Sequence, residues 1–460
     1  MQARLTCLFV AVFVIGVFAG TAHTADPIRV ATFDVDATPP IGSPLAYDPM
    51  KEAVLPLSCR GLVLLGDEKP IVLCCVDWIG ISNDGNRVFR ESLAEAAGTT
   101  PQRVAVHTVH QHDAPRLDFS AEEIMAKQGE SGLMFNVEHA KAVIANAAEA
   151  VAKAVKEACP VTHIGLGEGV VDKVASNRRI QGPDGKVMWT RYTSGASQER
   201  NRKAPIGLID PKVKVIAFFQ DDKPLVALTY YACHPQSYYR TGGANPDFPG
   251  IARSMREKAT ATFHVHFNGA GGNIGAGKWN DGSPPYRQIL ADRLAAGMEK
   301  AWDSMEKMPV SANDLDWGVE PVALPLGKHV VPEELEKSLA DPATKDRPEA
   351  AKTLTWARRC LAGDKIDIQC LQLGKARVLH MPGELCVEYQ IAAQKMREDL
   401  FVAMAAYGEY APGYICTAIA YTQGGYEASN RASHVAPEVE GVLMGAMEKL
   451  LRASGSEGGQ

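Results

Sequence analysis

The sequence predicts an α/β fold: mixed β-sheets flanked by helices, built from about three hairpin–helix–strand units. Three observations predict it. First, β-rich runs flank a short polar turn in "RGLVLLGDEKPIVLCCVDW" (60–78), "VKVIAFFQDDKPLVALTYYACHP" (213–235) and "IDIQCLQLGKARVLHMPGE" (366–384). The first two share nearly the same turn, Asp-Glu-Lys-Pro against Asp-Asp-Lys-Pro, and the third turns at Gly-Lys. Such runs read as hairpins. Second, an amphipathic helix follows each hairpin, at 87–97, 249–259 and 387–397. Third, a further apolar strand follows each helix: "RVAVHTVHQH", "ATFHVHFNG" and "LFVAMAAYG". A unit repeated in this order predicts one α/β assembly.

Before the first unit, "MQAR", the apolar run "LTCLFVAVFVIGVFAG" and the small residues "TAHTA" have the pattern of a secretory signal peptide over residues 1–25. Cleavage after Ala22 or Ala25 is expected, with the product soluble and secreted or periplasmic. The run is too short to predict a membrane span, and no second run of spanning length follows. Residues 26–454 are expected to form a single domain, since no linker rich in Pro, Gly or Ser divides them. Within it, apolar spacing predicts helices over 137–158, 285–306 and 439–454. The charged, proline-bearing stretch 311–365 is expected to pass over the core, and 455–460 to be a disordered tail.

The 460 residues carry a formal net charge of -6 with acids and bases mixed along the chain. No basic stripe is present, so a nucleic-acid partner is not expected. No CxxC pair occurs, which argues against a thiolate zinc cluster. Cys360 and Cys370 flank a loop and are the expected disulfide; Cys74, Cys75, Cys233 and Cys416 are expected to be buried thiols.

The stretch "AVHTVHQHDAP" (105–115) holds His107, His110 and His112. On a strand, His110 and His112 would share one face and His107 the other. "FHVHF" shows the same local spacing at His264 and His266, so this pattern alone does not identify a metal site. Two further groups stand just past strand ends: His234 in "ACHPQS" and Glu384 in "HMPGELC". Two imidazoles and a carboxylate form a common catalytic zinc set. The less favoured reading of Glu384 is a cap on the helix that follows it. "GAGGNIGAGK" lacks the Lys-Ser/Thr ending of a phosphate-binding loop, because Trp279 follows Lys278.

Taken together, these motifs resemble the neutral/alkaline non-lysosomal ceramidases, over residues 28 to 452. "HQHDAP" is similar to that family's His-x-His-Ser-Gly-Pro motif, which implies His110 as a zinc ligand and His112 as a substrate-contacting residue. "SNRR" implies Arg178, "ACHPQS" implies His234, and "MPGE" implies Glu384. Tyr414 and Tyr426 match the family's two tyrosines twelve residues apart, the first on zinc and the second near substrate. The resemblance therefore implies Zn²⁺ on His110, His234, Glu384 and Tyr414, with His112, Arg178 and Tyr426 as catalytic groups. It implies an amidohydrolase that cleaves the amide bond of ceramide or a related N-acyl lipid by attack of a zinc-bound hydroxide. A lipid substrate is compatible with peripheral contact at a membrane.

The chain departs from the family in two places. Asn273 stands at the acidic or amide position of the Gly-(Asp/Asn)-x-Ser-Pro-Asn loop, and Gly275 stands where the serine would be, which excludes a serine nucleophile there. The β-sandwich domain that follows the catalytic region in ceramidases is not expected within these 460 residues. A zinc esterase, lactonase or other amidase, and a degenerate lipid- or glycan-binding module, are the competing readings. Asp247, in "NPDFPG", either supports a ligand histidine or caps the next helix.

Overall fold

The computed structural model describes residues 27–452. The expected signal peptide and the tail fall outside this range. Each of the three repeated units forms as an antiparallel hairpin, a helix, and a strand that returns parallel to the hairpin's second strand. In the first unit, Ser58–Leu65 pairs with Ile71–Val76, helix Asp84–Ala97 follows, and Val104–Thr108 pairs parallel with Ile71–Val76. In the second, Lys212–Gln220 and Lys223–Tyr231 lead through Asp247–Thr260 to the parallel strand Phe263–Asn268. In the third, Ile366–Leu373 and Ala376–His380 lead through Val387–Met396 to Phe401–Ala405. A parallel return needs a crossover of a dozen or more residues, and the helix supplies it.

Flanking strands complete the sheets. The first gains Ile28–Asp36 and Cys159–Val161, and the second gains His163–Val170 and Glu306–Pro309. The third gains Leu315–Val322, so part of the charged stretch 311–365 is an edge strand. The rest of that stretch forms helices Pro332–Ala340 and Arg347–Leu361, whose Leu339, Ala351 and Leu354 pack against the first unit's outer core.

Strands of the three hairpins are buried on both faces and therefore read as apolar runs rather than alternations. Leu62, Leu64 and Leu73 of the first sheet, Ile216, Leu228 and Phe267 of the second, and Leu371, Val378 and Ala403 of the third meet in one central core. Opposite faces are covered by helices. The long helix Val137–Lys156 lies over the first sheet; the Asn136 side chain caps it by accepting from the His139 amide. Because the three units repeat the same order, the carboxyl ends of their parallel strand pairs carry loops that converge, the usual location of a ligand site in open α/β sheets.

The disulfide differs from expectation. Cys386 and Cys416 are joined, while Cys360 and Cys370 are free. Cys370 lies in the middle of strand Ile366–Leu373, with its side chain in the buried core formed with Leu379 and Met404. Cys360 sits near the end of a helix, half-buried. Closeness along the chain did not become closeness in space. Cys416, expected to be a free thiol, is instead joined across two very short parallel strands.

Candidate metal centre

Local backbone places the first histidines differently from a simple strand. The strand ends at Thr108, and His110 adopts φ 74°. That left-handed conformation is uncommon for a residue with a Cβ and is held only where surroundings fix it. Here the His110 amide donates to the Trp78 carbonyl at 2.9 Å and Nδ1–H donates to the Ile79 carbonyl at 2.6 Å. Strand alternation therefore does not set the faces of His110 and His112, since both lie beyond its last residue. The two rings sit edge to face, 4.9 Å between centroids. His107, still on the strand, turns away: its Nδ1–H donates to the Ala406 carbonyl and its Nε2 meets His380 Nδ1 at 2.9 Å.

His234 follows the second hairpin. Its Nδ1–H donates to the Gly271 carbonyl at 2.8 Å, so Nε2 carries a bare lone pair. Glu384 follows the third hairpin, on a two-residue strand that pairs parallel with Tyr414 and Ile415. The Glu384 Oε1 atom accepts from Tyr410 at 2.7 Å. Its Oε2 faces His234 Nε2 at 3.1 Å and His110 Nε2 at 3.3 Å. The Tyr414 hydroxyl stands 3.2 Å from His234 Nε2.

These groups fit a metal ion. With Nδ1 committed to a carbonyl, each imidazole turns only lone-pair density towards the carboxylate, and His110 Nε2 and Glu384 Oε2 are buried atoms without a hydrogen-bond partner. Ligands about 2.0–2.1 Å from a tetrahedral zinc stand about 3.4 Å from one another. Three of the separations, His234 to Glu384 at 3.1 Å, His234 to Tyr414 at 3.2 Å and His110 to Glu384 at 3.3 Å, lie close to that edge length. A second grouping shares two of its members: the buried imidazoles of His110, His112 and His234 have nitrogens all within 4.8 Å of one another and form a set able to hold a metal. Burial lowers His234, and burial with the nearby His110 and His234 lowers His112 well below the ordinary imidazole range. Burial alone would raise Glu384, but the facing His110 and His234 hold it well below the usual carboxylate range. Neutral imidazoles beside a carboxylate are the protonation states that ligation requires.

Arg178 lies beside this group. Its Nη1 donates to the Tyr414 hydroxyl at 3.1 Å, and its Nε lies 3.3 Å from Glu427. Its guanidinium stands 5.7 Å from the ring centroids of both Tyr414 and Tyr426, which brings Tyr426 to the edge of the same cluster. Asn273 sits one step further out: its Oδ1 accepts from the Val387 amide and its Nδ2 donates to Glu388, fixing the start of the helix that follows Glu384. Gly275 faces Arg178, and a Cβ there would meet Arg178 Cδ at 3.5 Å, an ordinary contact. Asp247 lies apart from His234: its carboxylate accepts from the Ser237 and Phe248 amides. Thus His110, His112, His234, Glu384, Tyr414, Arg178 and Tyr426 come together, Asn273 and Gly275 flank them, and Asp247 braces a neighbouring loop.

Sequence reasoning missed two tyrosines. Tyr407 stacks on His110 with centroids 4.5 Å apart, and Tyr410 holds Glu384. Both follow the third unit's returning strand in "YGEYAPGY", where a cluster of aromatic residues just past a strand end was the available signal. The cluster opens into a cavity of about 380 Å³ lined by Glu384, Tyr410, Tyr414 and Tyr426.

No family model and no curated protein matches the sequence. Solved structures do. A ceramidase complexed with C2 superposes with a TM-score of 0.66 at 16% identity, over 92% of this chain and 74% of that one. Neutral ceramidase from Pseudomonas aeruginosa superposes with a TM-score of 0.65 at 17% identity, over 93% of this chain and 74% of that one. The expected α/β class and the likeness to neutral ceramidases therefore hold at the level of the fold.

Proposed function

We propose that this chain, built on the fold of the neutral ceramidases, is a zinc-dependent amidohydrolase that cleaves the amide bond of ceramide or a related N-acyl lipid. The observation that carries this reading is the set of four ligand atoms, from His110, His234, Glu384 and Tyr414, at 3.1 to 3.3 Å spacing with lone pairs facing inward. A zinc ion held there supplies Lewis-acid activation of water and of an acyl carbonyl. The chain's own side chains do the rest. His112, with Nδ1 free of any partner, binds a polar group of the substrate. Arg178 and Tyr426 lie where negative charge develops on the acyl oxygen, and Arg178 orients the Tyr414 hydroxyl. The tyrosine rings around His110 and Glu384 keep bulk water from the ligands.

The proposal includes a single catalytic domain over 26–454 and export directed by residues 1–25, which rest on the sequence pattern. Among the described residues no helix is long and apolar enough to cross a membrane, which is compatible with a lipid substrate reached from the surface. One observation favours a second reading, an esterase, lactonase or other amidase on the same metal: Gly275 brings no hydroxyl beside Arg178. Elemental analysis of purified protein, followed by assay on a short-chain fluorescent ceramide, N-acyl amides and lactones, tests both. One zinc per chain and amide cleavage abolished by His110→Ala are expected. Absence of stoichiometric metal overturns either reading.

A further inference from the structure

The cavity above Glu384 and Tyr414 opens through a charged rim. Arg116, Arg240, Lys352 and Arg431 line it, against Asp346 and Glu349 at the rim and Asp118 and Glu384 deeper in. Glu349 is already shared, 2.6 Å from Lys352 and 3.7 Å from Arg116. Neither Arg240 nor Arg431 has a carboxylate within 4.0 Å among the described residues. Asp346 likewise lacks a cation, and the lining Asp118 is buried, its carboxylate met by Asn83, Ser120 and the Ala121 amide, so the unpaired charges at the mouth are two arginines against Asp346.

Arg240 is positioned rather than merely exposed. Its backbone takes φ 65°, and its amide donates to Asp113 Oδ1 at 2.9 Å. Asp113 also accepts from the Thr241 hydroxyl at 2.6 Å, which pins this loop through the main chain and leaves the guanidinium free. That guanidinium lies over the Tyr47 ring at 4.7 Å, and Tyr47 in turn stacks on His112 with centroids 5.9 Å apart. A guanidinium over an aromatic face still has N–H donors to offer a carboxylate. One tyrosine ring thus separates a free arginine edge from the metal centre. The cavity's 380 Å³ is at the small end for ligand sites, with Ile79, Leu117 and Met134 as its apolar wall. That volume suits a compact substrate. A two-chain lipid with a neutral head would leave both arginines unused.

We infer that the substrate is a compact N-acyl amide carrying an anionic group, a carboxylate close to the scissile bond, gripped at the mouth by Arg240 and Arg431. This rests on the amidohydrolase reading of the same site. Water adds across the amide: the C–N bond breaks, a C–O bond forms at the acyl carbon, and the nitrogen takes a proton, giving a fatty acid and an amino acid. Excess positive charge at the mouth also steers anions towards it.

The test compares an N-acylglycine with the N-acylethanolamine of the same acyl chain, which differ in the carboxylate, on zinc-loaded protein. Expected is a kcat/KM at least tenfold higher for the N-acylglycine, a preference that shrinks with added salt and drops about tenfold in Arg240→Gln and in Arg431→Gln. Equal cleavage of both amides, with the ratio unmoved by either substitution, overturns the inference and leaves the hydrolase reading standing. If zinc is bound and neither amide is cleaved, the hydrolase reading fails. Calorimetric binding of the same pair then decides the anion site: tighter N-acylglycine binding, weakened in both variants, supports it, and equal binding sinks it.

Discussion

Glu384 Oε2 and His234 Nε2 face each other at 3.1 Å with no proton available between them, because the only N–H of a neutral His234 is given to the Gly271 carbonyl. Two lone pairs at this distance repel, and a cation relieves them. Glu384→Gln separates stability from binding. The new amide can donate to a bare imidazole nitrogen, so the metal-free variant is expected to gain about 0.5–1.5 kcal/mol. Zinc affinity is expected to fall by at least about 100-fold. Thermal melts with and without zinc check both: wild type shifts upward with metal by about 2.7 kcal/mol at a hundredfold excess over Kd, and the variant does not. A variant that melts lower without metal and still responds to zinc would contradict the geometry.

Asp77 and Arg253 are a buried ion pair that braces the His110 loop from below. Arg253 meets Asp77 Oδ1 at 2.9 Å and Oδ2 at 2.8 Å, and Ser58 donates to Oδ2 at 2.7 Å. Two residues on, the Ile79 carbonyl holds His110. Arg253→Met leaves a buried carboxylate unpaired and is expected to cost about 3–5 kcal/mol, read in urea unfolding. Asp77→Asn combined with Arg253→Met should recover much of it.

Gly275→Ser restores the hydroxyl that the ceramidase loop carries. Its Cβ would meet only Arg178 carbons, at 3.5 and 3.6 Å. The substitution is expected to change stability by less than about 0.5 kcal/mol. Its effect on kcat for a short-chain ceramide reports directly whether the missing hydroxyl decides substrate choice. A large loss of stability would show that the loop is packed more tightly than described.

Four histidines outside the centre are kept neutral, chiefly by burial. His107 and His434 are lowered to about 4, and His264 and His266 to about 3. Their folded values lie below the unfolded value of about 6.5. The unfolded chain therefore binds more protons below that pH, and stability is complete above about 6.5 and falls as pH drops towards 4. Each group contributes up to about 1.4 kcal/mol per pH unit in that window. Melting curves from pH 7.5 to 4.5 should show a steep acid-side decline, and His107→Gln should flatten it. A flat profile would contradict the burial of these rings.

The repeated units were legible because turn chemistry and apolar runs are local signals: both hairpins turn at their polar stretch, although Lys223 and Pro224 of the second already belong to its second strand. Three of the converging side chains, His110, His234 and Glu384, were legible because each follows a strand end; Tyr414 was reached only through the family resemblance. What was not legible depends on distant pairings. Tyr410 reaches Glu384 across 26 residues, and Arg178 reaches Tyr414 across 236. The strands that align Glu384 with Tyr414 are two residues long, too short to show any period. The turned backbone of His110 is set by carbonyls at Trp78 and Ile79, and nothing in "HQHDAP" announces it.

That short pairing also carries the bond between Cys386 and Cys416, each two positions beyond Glu384 and Tyr414. Two of the four putting-together points of the centre are thus tied covalently through a loop of 30 residues, a closure of the kind that contributes about 3–4 kcal/mol. The surroundings in which the chain matures then govern its competence. Material folded among reducing thiols would keep every ligand yet lack the tether, and should hold zinc more loosely. Alkylation mass mapping alongside chelator competition, on batches made with and without an oxidising passage, would show whether the two properties travel together.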